Sequence, residues 1–312
     1  MCRYRLIGLA IGLVATTVTL VAQSSNPPQI AVMPANGTDL AYFEEGKGTP
    51  VVFVHGAVAD LRFWEPQRAA FAKSHRFVAY TLRYHGTVPW ADDGKQYSAE
   101  THAADLAAFI TALKAGPVHL VGLSYGGLVA AMAVTKEPGL IRTLTLAEPG
   151  LFSLLAEFPD GKPALEEWMK GAAPMLAAVK SGDAMGATRQ LFALVTGDSP
   201  DNFEKLPAEL RQILTDNART LPLLFAAPQV AVSCDALRGV KVPTLLVRGA
   251  RTPDFFAKTN ELAGRCMAGS RQAVVSGAAH AMSYDNPSGF NRAVLDFIDE
   301  PVKKPVTQRL GN

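Results

Sequence analysis

PVHLVGLSYGG, residues 117–127, is the stretch that decides the fold. Val118 to Leu123 form an apolar run of strand length with His119 as its one polar side chain. Gly122-Leu123-Ser124-Tyr125-Gly126 closes it, and an alanine-rich helical segment, LVAAMAVTK, follows at 128–136. A G-x-S-x-G placed between a strand and a helix puts its serine on a tight, strained turn, so the flanking residues must be small and the hydroxyl rises above the sheet edge. Ser124 could instead be a plain helix cap in a glycine-rich turn. The buried strand before it and the helix after it favour a nucleophile.

Outward from this turn, short apolar runs alternate with helical segments. Strands are expected at 39–45, 49–56, 76–82, 117–124, 140–148, 242–249 and 271–277. Helices are expected from Trp64 to Ala72, from Ser98 to Gly116 with Ser98 as N-cap and Glu100 in the first turn, and over 290–299. The runs are continuously apolar rather than alternating, as in a mostly parallel sheet covered on both faces, so the fold class is α/β. Between 150 and 235 the pattern is helical, with no convincing strand. This predicts a helical cap inserted into a core made of 24–149 and 236–300.

The chain has 312 residues, 30 basic and 28 acidic, and its arginines form no stripe that would suit a nucleic acid. Residues 1–23 set Arg3 and Arg5 before an apolar run from Leu6 to Ala22, the order of an export signal; an uncleaved membrane anchor is the alternative. Export would let Cys234 and Cys266 pair, though the sequence does not give their separation. Two cysteines without clustered histidines make no metal site. Residues 301–312 carry little that could join a core and read as a loose tail.

Serine attacks only with a base beside it. His280 follows the last strand and precedes the last helix, which puts it on a loop at the carboxyl edge of the sheet. His55, His75, His85, His102 and His119 lie in turns, a helix or a strand and read as structural. The oxyanion donors are expected to be the backbone amides of Tyr125 and Ala57, with Val58 as the near alternative. The third member is open among Glu148, Asp254 and Asp235. The loop after LLVRG starts Gly249-Ala250-Arg251-Thr252 without a carboxylate, whereas Glu148 ends the strand next to the elbow, so Glu148 is preferred.

VVFVHG with Trp64, YTLRYHG, GLSYGG, VPTLLVRG and HAMSYDNPSGFNRAVLDFI stand in the order of the α/β-hydrolase superfamily, which the chain resembles over about 38–300. It is similar in particular to capped esterases and lactonases. The missing carboxylate at Arg251 and Thr252 resembles zearalenone hydrolases, whose acid lies a short way past the elbow serine. The resemblance implies an α/β-hydrolase fold and a serine carboxylic-ester hydrolase or lactonase, with a resorcylic macrocyclic lactone among the substrates to consider. Serine at position 124 argues against the dehalogenase and epoxide-hydrolase branches, which use aspartate.

The expected chemistry is acyl transfer through Ser124 and His280, with no cofactor, no metal and no obligate protein partner. The cap is expected to roof an apolar pocket for a medium-sized substrate, with Val58, Trp168, Met169, Met175, Leu191, Phe192 and Phe225 as lining candidates. Arg83 and Tyr84 either flank the entrance or close a turn. A carbon-carbon bond hydrolase or cofactor-free peroxidase would use the same framework, and a non-catalytic receptor for a small ligand would keep the pocket.

Overall fold

The computed structural model describes residues 28–90 and 92–300. The export segment read over 1–23 and the loose tail read over 301–312 lie outside the described residues. Eight strands form one sheet: β1 (Ala31–Ala35), β2 (Thr38–Glu45), β3 (Pro50–Val54), β4 (Arg76–Tyr80), β5 (Val118–Leu123), β6 (Ile141–Ala147), β7 (Thr244–Gly249) and β8 (Arg271–Val275). Their order is β1-β2-β4-β3-β5-β6-β7-β8. The β1–β2 and β2–β4 pairs are antiparallel and the rest are parallel. Sequence reading did not anticipate β1, because Pro34 interrupts a short run. At the sheet edge the missing N–H costs little.

The central strands are mostly apolar and almost wholly buried because both faces are covered. Val52, Val54, Leu120, Leu144 and Leu246 pack into one layer with α2 (Ala99–Ala112), α3 (Tyr125–Lys136) and α10 (Asp254–Cys266). The alternate residues Val51, Phe53, Val121, Leu245 and Val247 pack on the other face. There they meet α1 (Glu65–Phe71) and α12 (Pro287–Ile298). Truncating one such fully buried aromatic, Phe53, would cost about 3–5 kcal/mol.

Local signals set the helix ends. Ser98 caps α2 by accepting from the Thr101 amide at 3.0 Å. That helix stops at Ala112, short of Gly116, where Lys114 (φ 49°) and Gly116 (φ 76°) turn left-handed. The helix expected from Trp64 opens as a 3₁₀ turn, Leu61–Trp64, capped by Asp60.

Between β6 and β7 the described chain is helical: α4 (Ser153–Glu157), α5 (Lys162–Lys180), α6 (Ala184–Thr196), α7 (Ala208–Asn217), α8 (Leu221–Ala226) and α9 (Cys234–Arg238). Cap helices α5, α6 and α8 enclose a small cluster of their own, Ala172, Met175, Ala187 and Leu221, into which Val58 of the core inserts. Cys234 of α9 is disulfide-bonded to Cys266, the last residue of α10, with Cα atoms 5.1 Å apart. A further short helix, α11 (Met282–Asp285), leads from the β8 loop into α12.

Candidate active site

The elbow is built as its glycines require. Ser124 has φ 56°, a conformation that non-glycine residues rarely adopt. A Cβ on Gly126 would collide with the carbonyl oxygens of Val54 and His55. The neighbouring strand end braces the turn from both sides: the Ser124 amide donates to Ala147 O at 2.9 Å, and the Gly150 amide donates to Ser124 O at 2.9 Å. Glu148 lies between these two bonds, itself left-handed at φ 41°.

Glu148 is fully buried and His280 nearly so, at 0 % and 6 % exposure. His280 Nδ1 donates to Glu148 Oε2 at 2.6 Å. That bond fixes the tautomer and leaves Nε2 as the nitrogen able to take a proton. His280 and Ser124 line the same cavity, with no hydrogen bond between them. The other candidate acids stand elsewhere. Asp254 is exposed in the first turn of α10 and Asp235 pairs with Arg238 on the surface. Asp254 instead borders an open groove of about 520 Å³ between α5 and α10, whose walls carry Asp160, Glu167, Arg248 and Lys258. That groove is larger than the cavity at Ser124, but its lining holds neither the elbow serine nor a histidine.

Tyr125 is the first residue of α3, so its amide belongs to the set that no helix carbonyl can accept. Ala57 and Val58 border the cavity beside Ser124. Val58 has φ 48°, which for a β-branched residue is a genuine outlier held by its surroundings. Two amides at this location can meet an oxyanion.

Three buried histidines support these loops, and their tautomers follow from carbonyl partners. His55 Nδ1 donates to Gly56 O at 2.8 Å, so its Nε2 accepts from the Leu82 amide at 3.0 Å. His85 Nδ1 donates to Ala59 O at 2.9 Å. His102 Nε2 donates to Arg83 O at 3.2 Å, so its Nδ1 accepts from the Tyr125 hydroxyl at 2.8 Å. Burial holds all three neutral, pushing His55 down to about 4, His102 to about 3 and His85 well below its ordinary value. Arg83 is buried in a two-bond pair with Asp105, at 2.9 and 2.7 Å, and so closes a turn; it does not border the cavity. Tyr84 bonds Asp92 at 3.0 Å and likewise lies off the cavity.

The cavity at Ser124 measures about 130 Å³ and is mostly apolar. One wall is the face of α6 bearing Thr188, Leu191, Phe192, Val195 and Thr196, at helical spacing. Both threonine hydroxyls are turned to backbone, on Ala184 O and Phe192 O, which leaves their methyl groups for the lining. Leu206, Leu210 and Leu214 also line the cavity. Among the expected lining residues, Val58, Leu191 and Phe192 are therefore in place. Trp168, Met169, Met175 and Phe225 are not. Trp168 packs against Phe152 at 5.1 Å, Met169 is exposed, Met175 fills the interior of the cap and Phe225 packs against that same cluster. They lie on α5 and α8, neither of which borders this cavity, and they face protein or solvent.

Sequence reading gave no role to three residues that touch this arrangement. Thr252 Oγ1 donates to Glu148 Oε2 at 2.8 Å, and the Phe256 ring stacks on His280. Asn217 Nδ2 of the cap donates to Asp60 Oδ2 at 2.7 Å, just past Ala57 and Val58, and its Oδ1 accepts from the Gly86 amide at 2.6 Å. None had a local signal beyond its chemistry, since each matters through a partner distant in sequence.

The family model described as "Alpha/beta hydrolase family" matches residues 51–293. The chain is 25% identical over 269 residues to the 2-(acetamidomethylene)succinate hydrolase of Mesorhizobium japonicum, covering 82% of this chain and 90% of that one. It is 27% identical over 283 residues to a non-heme haloperoxidase of Rhodococcus erythropolis, covering 86% and 98%. Among solved structures it is similar in fold to Est816, an N-acyl homoserine lactone degrading enzyme, with a TM-score of 0.69 at 22% identity over 86% of this chain and 100% of that one. With an eight-stranded sheet, a strained serine elbow, a helical insertion and a family match that spans most of its length, this chain is an enzyme of the α/β-hydrolase family.

Proposed function

We propose that the protein hydrolyses a small apolar ester or lactone by serine catalysis, with Ser124, His280 and Glu148 as the triad. The observation that carries this reading is the 2.6 Å bond from His280 Nδ1 to buried Glu148 Oε2, made at the cavity that also contains Ser124. Ser124 Oγ attacks the carbonyl carbon while His280 Nε2 takes its proton. The oxyanion is held by the amides of Ala57 and Tyr125, and the imidazolium then protonates the leaving alkoxide. Water attacks the acyl-enzyme by the same route and releases the acid. Glu148 keeps the tautomer and offsets the imidazolium charge without itself taking the proton.

Cavity size supports a short substrate. An apolar cavity of about 150 Å³ takes up benzene, and the 130 Å³ here is of that scale. A resorcylic macrocyclic lactone, suggested by the position of the acid, would need the cap displaced. The lining contains no lysine or arginine, which favours neutral substrates over carboxylates. We also propose that the protein works outside the reducing cytosol, a reading supported by the Cys234–Cys266 disulfide and by the apolar run from Leu6 to Ala22.

The test is hydrolysis of p-nitrophenyl esters of increasing acyl length beside a macrocyclic aryl lactone, with the wild type, Ser124→Ala and Glu148→Gln. Turnover of short esters that disappears in Ser124→Ala is the expected result. Preference for the macrocycle would overturn the short-substrate reading, and serine-independent turnover would overturn the mechanism.

A further inference from the structure

The loop after β7, which has no carboxylate from Gly249 to Thr252, carries donors instead. Glu148 Oε1 accepts from the Gly249 amide at 2.7 Å, while Oε2 accepts from Thr252 Oγ1 at 2.8 Å as well as from His280 Nδ1 at 2.6 Å. We propose that Thr252 is a positioning residue: its hydroxyl holds the carboxylate of Glu148 in the one orientation that serves His280. The proposal rests on the reading of Glu148 as the triad acid.

Three observations carry it. Glu148 is closed to solvent, so water cannot replace a lost donor from outside. Its backbone is left-handed, and its carboxylate reaches the imidazole across a flexible side chain, so the Cα position alone does not fix the oxygen atoms. Thr252 itself stands on a braced frame. The amides of Ala250 and Arg251 donate to Val275 O and Ala278 O at 3.0 and 2.8 Å, which tie the loop to β8 and to the turn leading into His280. The loop is thus registered to the base on one side and to the acid on the other, and the threonine hydroxyl is the side-chain bond that joins them. A glutamate that arrives from β6 needs such a support, because the strand after it lies between it and the histidine loop in the sheet order.

The test compares Thr252→Val, which keeps the shape without the hydroxyl, with Thr252→Ser, which keeps the hydroxyl, and with Thr252→Ala and Glu148→Gln. The readouts are kcat and KM on the best p-nitrophenyl ester, with the melting temperature of each variant as a control for folding. Loss of a hydrogen bond to a charged group predicts kcat lower by roughly 10- to 100-fold in Thr252→Val and Thr252→Ala, with KM within about twofold and recovery in Thr252→Ser. Wild-type kcat in a folded Thr252→Val or Thr252→Ala, or a serine variant as impaired as the valine one, would overturn the proposal. If Glu148→Gln keeps wild-type kcat, the acid assignment beneath it is what fails; if only that variant is impaired, Thr252 fails alone.

Discussion

Phe256 lies almost parallel to the imidazole of His280, with ring centroids 4.0 Å apart and planes 14° apart. The phenyl ring is buried on α10, so the imidazole is clamped between this face and its bond to Glu148. In the proposed acyl transfer the imidazole becomes imidazolium, for which an aromatic face is a favourable neighbour. Phe256→Leu should therefore keep the fold and lower kcat by roughly 3- to 10-fold, the size of a partly desolvated cation–π contact. Steady-state kinetics on a short ester checks this, and an unchanged kcat would reduce Phe256 to packing.

Under the proposed function, the wall of the cavity should set substrate length. Phe192 on α6 and Leu210 on α7 both line a space of about 130 Å³. Phe192→Ala should move the preferred acyl chain to longer members of the p-nitrophenyl series and raise kcat/KM for them about 10-fold relative to acetate, since each buried methylene contributes about 0.8 kcal/mol. A profile that keeps its original optimum would mean that another surface selects the chain.

Acid should unfold this protein early. His55, His85 and His102 are neutral in the fold, with His55 at about 4 and His102 at about 3, while unfolding returns each to about 6.5. Below 6.5 the unfolded chain binds more protons than the native one, so stability falls as pH drops from 6.5 toward 4. Each histidine contributes up to about 1.4 kcal/mol per pH unit in that window. Urea midpoints between pH 7 and 4.5 measure the slope, and His102→Gln should make it shallower by about one histidine's share. An equal slope in that variant would remove His102 from the account.

The disulfide should matter for stability. Cys234 and Cys266 are 32 residues apart in sequence, and closing a loop of that length contributes about 3–4 kcal/mol in the chain-entropy treatment. The double variant Cys234→Ala/Cys266→Ala, or the reduced wild type, should melt several degrees lower while short-ester turnover at 25 °C stays. Identical melting of oxidised and reduced protein would contradict this.

Much of the site was legible where the requirement is local. Gly122 and Gly126 are dictated by close backbone approach, so the elbow could be read from five residues. Position in the chain order pointed to His280, and the absence of a carboxylate from Gly249 to Thr252 turned attention to Glu148. The cap was legible as helices but not as a lining. Helical spacing tells which side chains share a face, not whether that face meets a cavity, another helix or water. Met175 and Leu191 look alike in sequence, and only packing sends one into the interior of the cap and the other to the cavity. Pro34 hid β1 for a related reason, because an edge strand tolerates what a central strand would not.

The Cys234–Cys266 bond turns residues 234–266 into a covalent ring, and that ring contains Gly249, Thr252 and Phe256. Every contact that the β7 side makes with Glu148 or His280 through these three residues therefore belongs to one closed piece of chain. The main body of the cap, α4 to α8, lies outside the ring. Substitutions or motions in those helices can reshape the cavity wall while the bond between Glu148 and His280 stays tied to a separate loop. In this architecture, what the enzyme accepts and how it reacts can change independently.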